Sequence, residues 1–250
     1  MSLMRAGRPF KRWRYVGVYG PELMLCVGDA RIAGLPQRWW AVALPDGTLW
    51  ERTSTRRKGI DMEPGRIAVR GGPVSIQLEL GEGEAVEVVS PHGRSQIWTR
   101  KQAGVPVRGH VRAGGREWTV DGPLGFVDDS AGYHARHTTW RWSAGIGRAA
   151  SGEVVAWNLV EGVHDSTTGS ERALWVDGVP HEVEPQRFAA DLSAVGGLRF
   201  REWVAREDHT SRLLLRSDYR QPFGTFSGML PGGLELDSGY GVMEWHDVYW

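Results

Sequence analysis

The chain consists of short apolar runs cut off every few residues by glycine-containing turns, and this punctuation limits the fold more than any other feature. Gly makes up 34 of 250 residues, about twice the usual ~7% share. The run Trp39–Leu44 (WWAVAL) stops at Pro45-Asp46-Gly47 and resumes as TLWERT. VSIQLEL (Val74–Leu80) alternates and ends at the Gly81–Gly83 breaker, and AVEVVS (Ala85–Ser90) stops at Pro91-His92-Gly93. ALWV meets Asp177-Gly178, and GMLP meets Gly232-Gly233 before LELD. Such dipeptides supply the positive φ that tight hairpin turns require. Run, turn, run, with little helical spacing, predicts an all-β, antiparallel fold of meanders, sandwiches or barrels. The best helical candidate, Arg187–Val195, is short, ends at Gly196-Gly197 and reads at least as well as a connection.

The stretch HTTWRWSAGIG (His137–Gly147) is the most informative single segment. Side chains alternate faces along an extended strand, so Thr138, Trp140, Trp142 and Ala144 share one face. His137, Thr139, Arg141 and Ser143 share the other. The next run, EVVAWNLVEG, is apolar on both faces, which predicts a strand buried on both. Between them stand Gly145, Gly147 and Gly152. A dinucleotide site needs G-x-G-x-x-G running from a strand into a helix whose N-terminus receives the pyrophosphate. Here the third glycine is misplaced and a strand follows, so the glycines read as a hairpin connection. No Gly-Lys-Ser/Thr of a P-loop occurs.

Composition narrows the classes. Lys+Arg and Asp+Glu are both 30, for a net charge of +0, which argues against a general nucleic-acid binder. The basic run RRKG at Arg56–Gly59 reads as a solvated loop. The single cysteine, Cys26, excludes an intrachain disulfide and suits a reducing compartment. The N-terminal stretch has no apolar h-region, and no segment approaches the ~20 apolar residues of a membrane span. The expectation is a soluble, cytoplasmic protein with no integral membrane segment. A weak boundary near Gly114–Gly125 divides it into an N-terminal half, 1–120, and a C-terminal half, 121–250.

Chemistry-bearing residues are few. His134-x-x-His137 lacks the further ligands a zinc site needs, so no metal is expected. Ser227 does not sit in a nucleophile elbow, and Cys26 lies in an apolar strand where a structural thiol is expected. In GVMEWHDVYW, Val242, Glu244, His246, Val248 and Trp250 share one face if the run is extended. Glu244 among large apolar residues would have a raised pKa and could act as a general acid, with His246 beside it. The alternatives are a structural ion pair or a solvent-facing edge. Asn158, a lone amide in an apolar strand, needs partners, either neighbouring backbone or a ligand. Glu161, His164, Glu171 and Arg172 flank the turn GVHDSTTGSER, where exposure is the default.

Three blocks carry a resemblance: TTWRWSAGIGRAASGEVVAWNLVEG, ERALWVDGVPHEV and QPFGTFSGMLPGGLELDSGYGVMEWHDVYW. With the opening KRWRYVGVYGPELMLCVGDARIAG, they resemble the bacterial domain of unknown function 2804 family over nearly the whole chain. That family is distantly similar to tandem lipocalin-like proteins, which include carotenoid hydratases of the hydroxyneurosporene synthase type. The resemblance implies two packed lipocalin-like barrels or sandwiches, and a cofactor-free hydration or isomerisation at a carbon–carbon double bond. For such a reaction Glu244 or Asp129 would be the acid, with His246 or His137 assisting.

The leading expectation is an internal pocket for an apolar or amphipathic, lipid- or isoprenoid-like small molecule, of about 300 Å3 or more. Trp140, Trp142, Asn158, Trp157 and Phe223 would contact the ligand, and no cofactor is required. The hydratase/isomerase and a ligand-free scaffold are the alternatives, and the absence of a cavity of about 300 Å3 or more near Trp140 and Asn158 would favour the scaffold over the other two. If the Trp142 ring is core, Trp142→Ala costs about 3–5 kcal/mol in a denaturant titration. A loss under about 1 kcal/mol would show it exposed.

Overall fold

The computed structural model describes residues 2–5, 7–56, 59–92, 95–212 and 215–249. Of the stretches singled out above, Arg57 and Lys58 of RRKG, Gly93 and Trp250 lie outside these residues. Among the described residues there is no helix, and the candidate at 187–195 is a turn closed by the short pairing of Phe188 with Val195.

The first sheet is built from β1 (Met4–Arg5), β2 (Arg8–Tyr19), β3 (Met24–Ile32), β4 (Leu35–Ala43), β5 (Leu49–Ser54), β6 (Ile60–Glu63), β7 (Arg66–Gly71), β8 (Val74–Leu80), β9 (Ala85–His92), β10 (Ser95–Ala113) and β11 (Arg116–Tyr133). The second holds β12 (His137–Ala149), β13 (Val154–Glu161), β14 (Ala173–Val176), β15 (Val179–Glu182), β16 (Ala194–Val195), β17 (Leu198–Arg212), β18 (Leu215–Met229) and β19 (Glu235–Tyr249). The first runs β5-β4-β3-β2-β11-β10-β8-β7-β6, with β1 on β2 and β9 on β10; the second runs β15-β14-β13-β12-β19-β18-β17-β16. Neither path closes into a barrel. The hairpins follow the turn chemistry read from the sequence: Asp177 and Gly178 both take positive φ, 47° and 85°, as a type I′ turn requires.

The chain passes from the first sheet to the second between Tyr133 and His137. The division expected at residue 120 falls inside β11, which pairs with β10 along most of its length and with β2 from Gly125 to Tyr133. What interrupts the strand pattern there is Gly122, at a φ of 140°. Strand β10 also bends. Its register shifts between Ala103 and Val107, so one end pairs with β9 and the other with β8. Bulges of this kind bend a strand and raise its twist.

Three apolar layers result. One lies within the first half and holds Val16, Val27, Val42, Val69, Ile76 and Val111. One lies within the second and holds Trp157, Leu159, Leu198, Phe226 and Met243. The third joins the halves and includes Tyr15, Cys26, Ala41, Trp142, Ala156 and Phe223. Each central strand therefore serves two layers by alternation. On β13, Val155, Trp157 and Leu159 enter the second half's own core, whereas Ala156 and Val160 meet the first half. This is the two-faced burial that the apolar run predicts.

Gly145 and Gly147 correct an expectation. Both lie inside β12 rather than in its turn. A Cβ on Gly145 would run into the Trp157 indole, and one on Gly147 into the Ser238 carbonyl. They permit close packing, and only Gly152, at a φ of 108°, belongs to the connection. Gly145→Ala should therefore destabilise by about 1–3 kcal/mol through overpacking. A urea-titration change below about 0.5 kcal/mol would contradict this.

Candidate functional site

Where the two sheets face each other, a cavity of about 210 Å3 opens between them. Strand alternation and register set its walls. From the first sheet, β2 presents Lys11, Trp13 and Tyr15, and β10 presents Thr99 and Lys101. Asp128 on β11 is the direct cross-strand partner of Lys101. From the second sheet, β12 presents Thr138, Trp140 and Trp142. Opposite them on β19, Glu244 pairs in register with Trp142, and His246 with Trp140. Tyr219 of β18 is in turn the register partner of His246.

Two polar groups of different character result. The first is a carboxyl held by neutral donors. The Trp140 indole N–H donates to Glu244 Oε1 at 2.8 Å, and Gln221 Nε2 donates to Oε2 at 2.9 Å. Burial pushes the Glu244 carboxyl up to about 7, and the hydrogen bonds from Trp140 and Tyr219 only partly oppose this. Beside it, His246 lies 4.4 Å from the Trp140 ring, centroid to centroid, and its Nε2 shares a 2.8 Å hydrogen bond with Ser217 Oγ. Burial, and next the charge of Lys11, bring the imidazole down to about 3. His246 is thus neutral at physiological pH.

The second group is ionic. Lys101 Nζ lies 2.6 Å from Asp128 Oδ1 and 3.5 Å from Glu171 Oε1. Burial opposes the lysine's charge, yet the two carboxylates outweigh it and the pKa rises. Trp13 Nε1 donates to Asp128 Oδ2 at 3.3 Å. Buried beside this triad, the His164 imidazole has a lowered pKa, with burial the main cause. Thr99 Oγ1, His164 Nδ1 and Glu171 Oε2 are buried with no hydrogen-bond partner among the described residues.

Of the residues nominated from the sequence, Trp140, Trp142, Glu244 and His246 meet at this cavity. The others lie elsewhere. Asn158 is already satisfied: its Oδ1 accepts from Trp142 Nε1 at 2.7 Å, and its Nδ2 donates to the Glu171 carbonyl at 2.8 Å. It orients the wall from behind. Trp157 alternates to the opposite face of β13, where its indole donates to Ser143 Oγ at 3.0 Å. Phe223 is packed in the layer between the halves, away from the cavity walls. Asp129, one residue from Asp128, points to the other face of β11 and is ion-paired with Arg14 at 3.3 Å. His137 is exposed, stacks on Tyr249 and meets Asp247 at 2.8 Å. His134, by contrast, is buried in the cavity wall against Trp13. The two histidines therefore do not converge, and among the described residues no three His, Cys, Asp or Glu side chains cluster to hold a metal.

Sequence reasoning missed Lys11, Lys101, Asp128, Glu171 and His164. The last two were expected to be exposed, but they are only 2% and 8% exposed. The loop after β13 folds inward because Arg172, fully buried, donates to the carbonyls of Ser166 and Val183. Nothing local signals this. Lys101 and Asp128 each look like a charge on a strand's polar face, and only their pairing across a 27-residue separation marks them.

Residues 49–250 match the family described as domain of unknown function (DUF2804). No curated protein matches the chain. Among solved structures, a Nitrosomonas europaea protein assigned as AttH is similar, with a TM-score of 0.55 and 14% identity over 94% of this chain and 91% of that one. Kievitone hydratase from Nectria haematococca is similar with a TM-score of 0.51 and 8% identity over 96% of this chain and 88% of that one. At these identities the likeness is one of fold: an all-β, lipocalin-like architecture of two halves. No helix among the described residues is long and apolar enough to cross a membrane.

The raised Glu244 carboxyl has a sign that can be measured. The folded chain keeps this proton up to about pH 7, whereas an ordinary carboxyl near 4.5 releases it. The stability it contributes is present below pH 4.5 and is lost as pH rises through 7. Relative to Glu244→Gln, the wild type should lose about 3 kcal/mol between about pH 4.5 and about pH 8 in denaturant titrations. A difference independent of pH would refute a neutral, buried Glu244.

Proposed function

We propose, from the premise that the chain belongs to the domain of unknown function (DUF2804) family, that the cavity between its sheets binds a compact amphipathic small molecule. The observation that carries this reading is the composition of the cavity: aromatic walls from both halves, and buried polar atoms that the protein leaves without partners. Natural interiors rarely leave such atoms unpaired, and a few placed polar groups in an apolar pocket are how ligands are oriented. Thr99, His164 and Glu171 would receive a ligand's hydrogen-bonding end, and Trp13, Trp140 and Trp142 its apolar body. At about 210 Å3, the cavity is smaller than the roughly 300 Å3 at which drug-sized sites begin. That size fails the criterion for the lipid- or isoprenoid-binding pocket expected from the sequence, and a smaller occupant is proposed in its place.

A second reading, proton transfer, is favoured by one further observation. Glu244 is a carboxyl poised at about 7 in the cavity wall, and a general acid works best with a pKa near the operating pH. Kievitone hydratase, by its name, carries out a hydration on a similar fold. On this reading Glu244 protonates a carbon–carbon double bond, and neutral His246 serves as a hydrogen-bonding neighbour. Asp129 and His137 take no part.

Binding is tested with 3-phenylpropan-1-ol, a compact aromatic alcohol, by saturation-transfer NMR and calorimetry. Saturable binding with a Kd of about 1 mM or tighter, worth roughly 4 kcal/mol, is expected. Val163→Trp, a bulky side chain at a half-buried wall position, should abolish it. Absence of saturable binding, or equal binding by Val163→Trp, would overturn the reading. Proton transfer is tested by solvent-deuterium incorporation into an unsaturated phenol. Glu244→Gln should slow it by about 100-fold or more while still binding the alcohol.

A further inference from the structure

Lys101 serves its two carboxylates unequally. Asp128 lies 2.6 Å from the lysine Nζ and also accepts the Trp13 indole N–H at 3.3 Å. Glu171 reaches the same nitrogen only at 3.5 Å, through Oε1. One ammonium between two buried carboxylates leaves one negative charge with little access to water, and a buried charge is costly until it is answered. No other cation of the wall bonds it, because Glu171 Oε2 is buried without a hydrogen-bond partner. Arg206 is paired with Glu51 at 2.9 Å, and Arg12 is exposed. Lys11 sits four residues along β2 from Tyr15, the register partner of Asp128, which is about 13 Å of strand.

The Glu171 side chain is the part of that residue that meets the cavity. Its main chain is turned to its own half: the amide donates to the His164 carbonyl at 3.3 Å, and the carbonyl accepts from Asn158, which is not in the cavity wall. The side chain crosses instead to Lys101 of the other sheet. The same main-chain bond sets His164 beside Glu171. His164 Nδ1 and Thr99 Oγ1, both of wall residues, are likewise buried without partners. Thr99 precedes Lys101 by two residues and so shares its face of β10. All three atoms can accept a hydrogen bond. A carboxylate oxygen only accepts, and a hydroxyl oxygen does so as readily as it donates. Burial lowers the His164 pKa, so the ring is neutral at physiological pH, and its Nδ1 accepts when the proton is on Nε2. Three acceptors around a surplus negative charge match a group with three donors and a positive charge, and a primary ammonium is such a group.

We propose that the molecule held in the cavity is a primary amine, bound as its ammonium ion by Glu171 Oε2, His164 Nδ1 and Thr99 Oγ1. Its apolar body lies among Trp13, Trp140 and Trp142. The ligand completes the charge count: Lys101 keeps Asp128, and the ammonium takes Glu171. Hydrogen bonds assisted by charge are about twice as strong as neutral ones, so the site prefers the amine to an alcohol of the same shape and disfavours a carboxylate. The inference rests on the reading that the cavity takes a compact amphipathic molecule, and it names the polar end of that molecule.

The test compares 3-phenylpropan-1-amine, 3-phenylpropan-1-ol and 3-phenylpropanoate on the whole protein by calorimetry at neutral pH. The amine should bind at least about tenfold tighter than the alcohol, the propanoate should bind weakest of the three, and Val163→Trp should abolish amine binding. Glu171→Gln, which keeps the shape and removes the charge, should reduce the preference for amine over alcohol to about threefold or less. If that variant does not fold, or binds neither compound, the wild-type ranking and Val163→Trp decide. An amine bound no tighter than the alcohol or the propanoate, a preference undiminished in Glu171→Gln, or amine binding that survives Val163→Trp would overturn the ammonium site. Saturable binding of the alcohol in any of these cases leaves the binding reading standing. No saturable binding of either the amine or the alcohol would overturn both.

Discussion

The contact between the two sheets is the constraint on which the rest depends. Neither half can hide its inner face alone, because the strands at its centre are apolar on both sides. Where small side chains meet, the sheets close. Ala41, Ala43, Ala144 and Ala156 lie in that contact, and Gly145 lets the Trp157 indole press against β12 from behind. Further along the same strands the side chains grow. On β4 the series Ala43, Ala41 continues to Trp39; on β12, Ile146 and Ala144 lead to Trp142 and Trp140. The large members are the ones that line the cavity. A gradient of side-chain size along paired strands thus seals one end of the interface and leaves space at the other, and close packing elsewhere prevents the gap from collapsing.

That geometry also decides the electrostatics. Every ionisable group in the gap loses water, so each must either find a counter-charge or give up its own charge. Lys101 takes the first course, with a carboxylate from each half: Asp128 on β11 and Glu171 in the loop after β13. Arg206 of β17 does likewise, reaching Glu51 of β5 at 2.9 Å. Glu244 and His246 take the second course and are driven towards neutrality. Buried pairs of this kind add little net stability but cost much when one partner is removed. Removing one partner of such a pair strands a buried charge at the contact between the halves.

What could be read from the sequence follows from how local each signal is. Hairpins at Pro45-Asp46-Gly47 and Asp177-Gly178 depend on adjacent residues, and they are legible. Period-two alternation is equally local, so the shared face of Trp140 and Trp142, and that of Glu244 and His246, could be drawn in advance. Gly145 and Gly147 were misread because a glycine that admits a neighbour looks like a glycine that turns the chain; the neighbours, Trp157 and Ser238, are known only from the fold. Glu171 and His164 fail for a similar reason, since the Arg172 beside them reaches back to the Ser166 carbonyl of its own loop and across to that of Val183. Asn158 shows the converse. Its need for partners was legible, but not that Trp142 and the Glu171 carbonyl already meet it.

The fold likeness and the site speak at different levels. At 14% and 8% identity, the shared property is the all-β fold alone. Such a backbone is compatible with many chemistries, because function resides in the side chains placed on it. In this chain the walls come from many strands of both sheets, among them β2, β4, β10 and β11 on one side and β12, β18 and β19 on the other. A single substitution on any of them changes one wall without disturbing the hairpins that hold the sheet. The same frame holds the Lys101–Asp128–Glu171 ion cluster and the neutral Glu244 carboxyl in the wall of one small cavity.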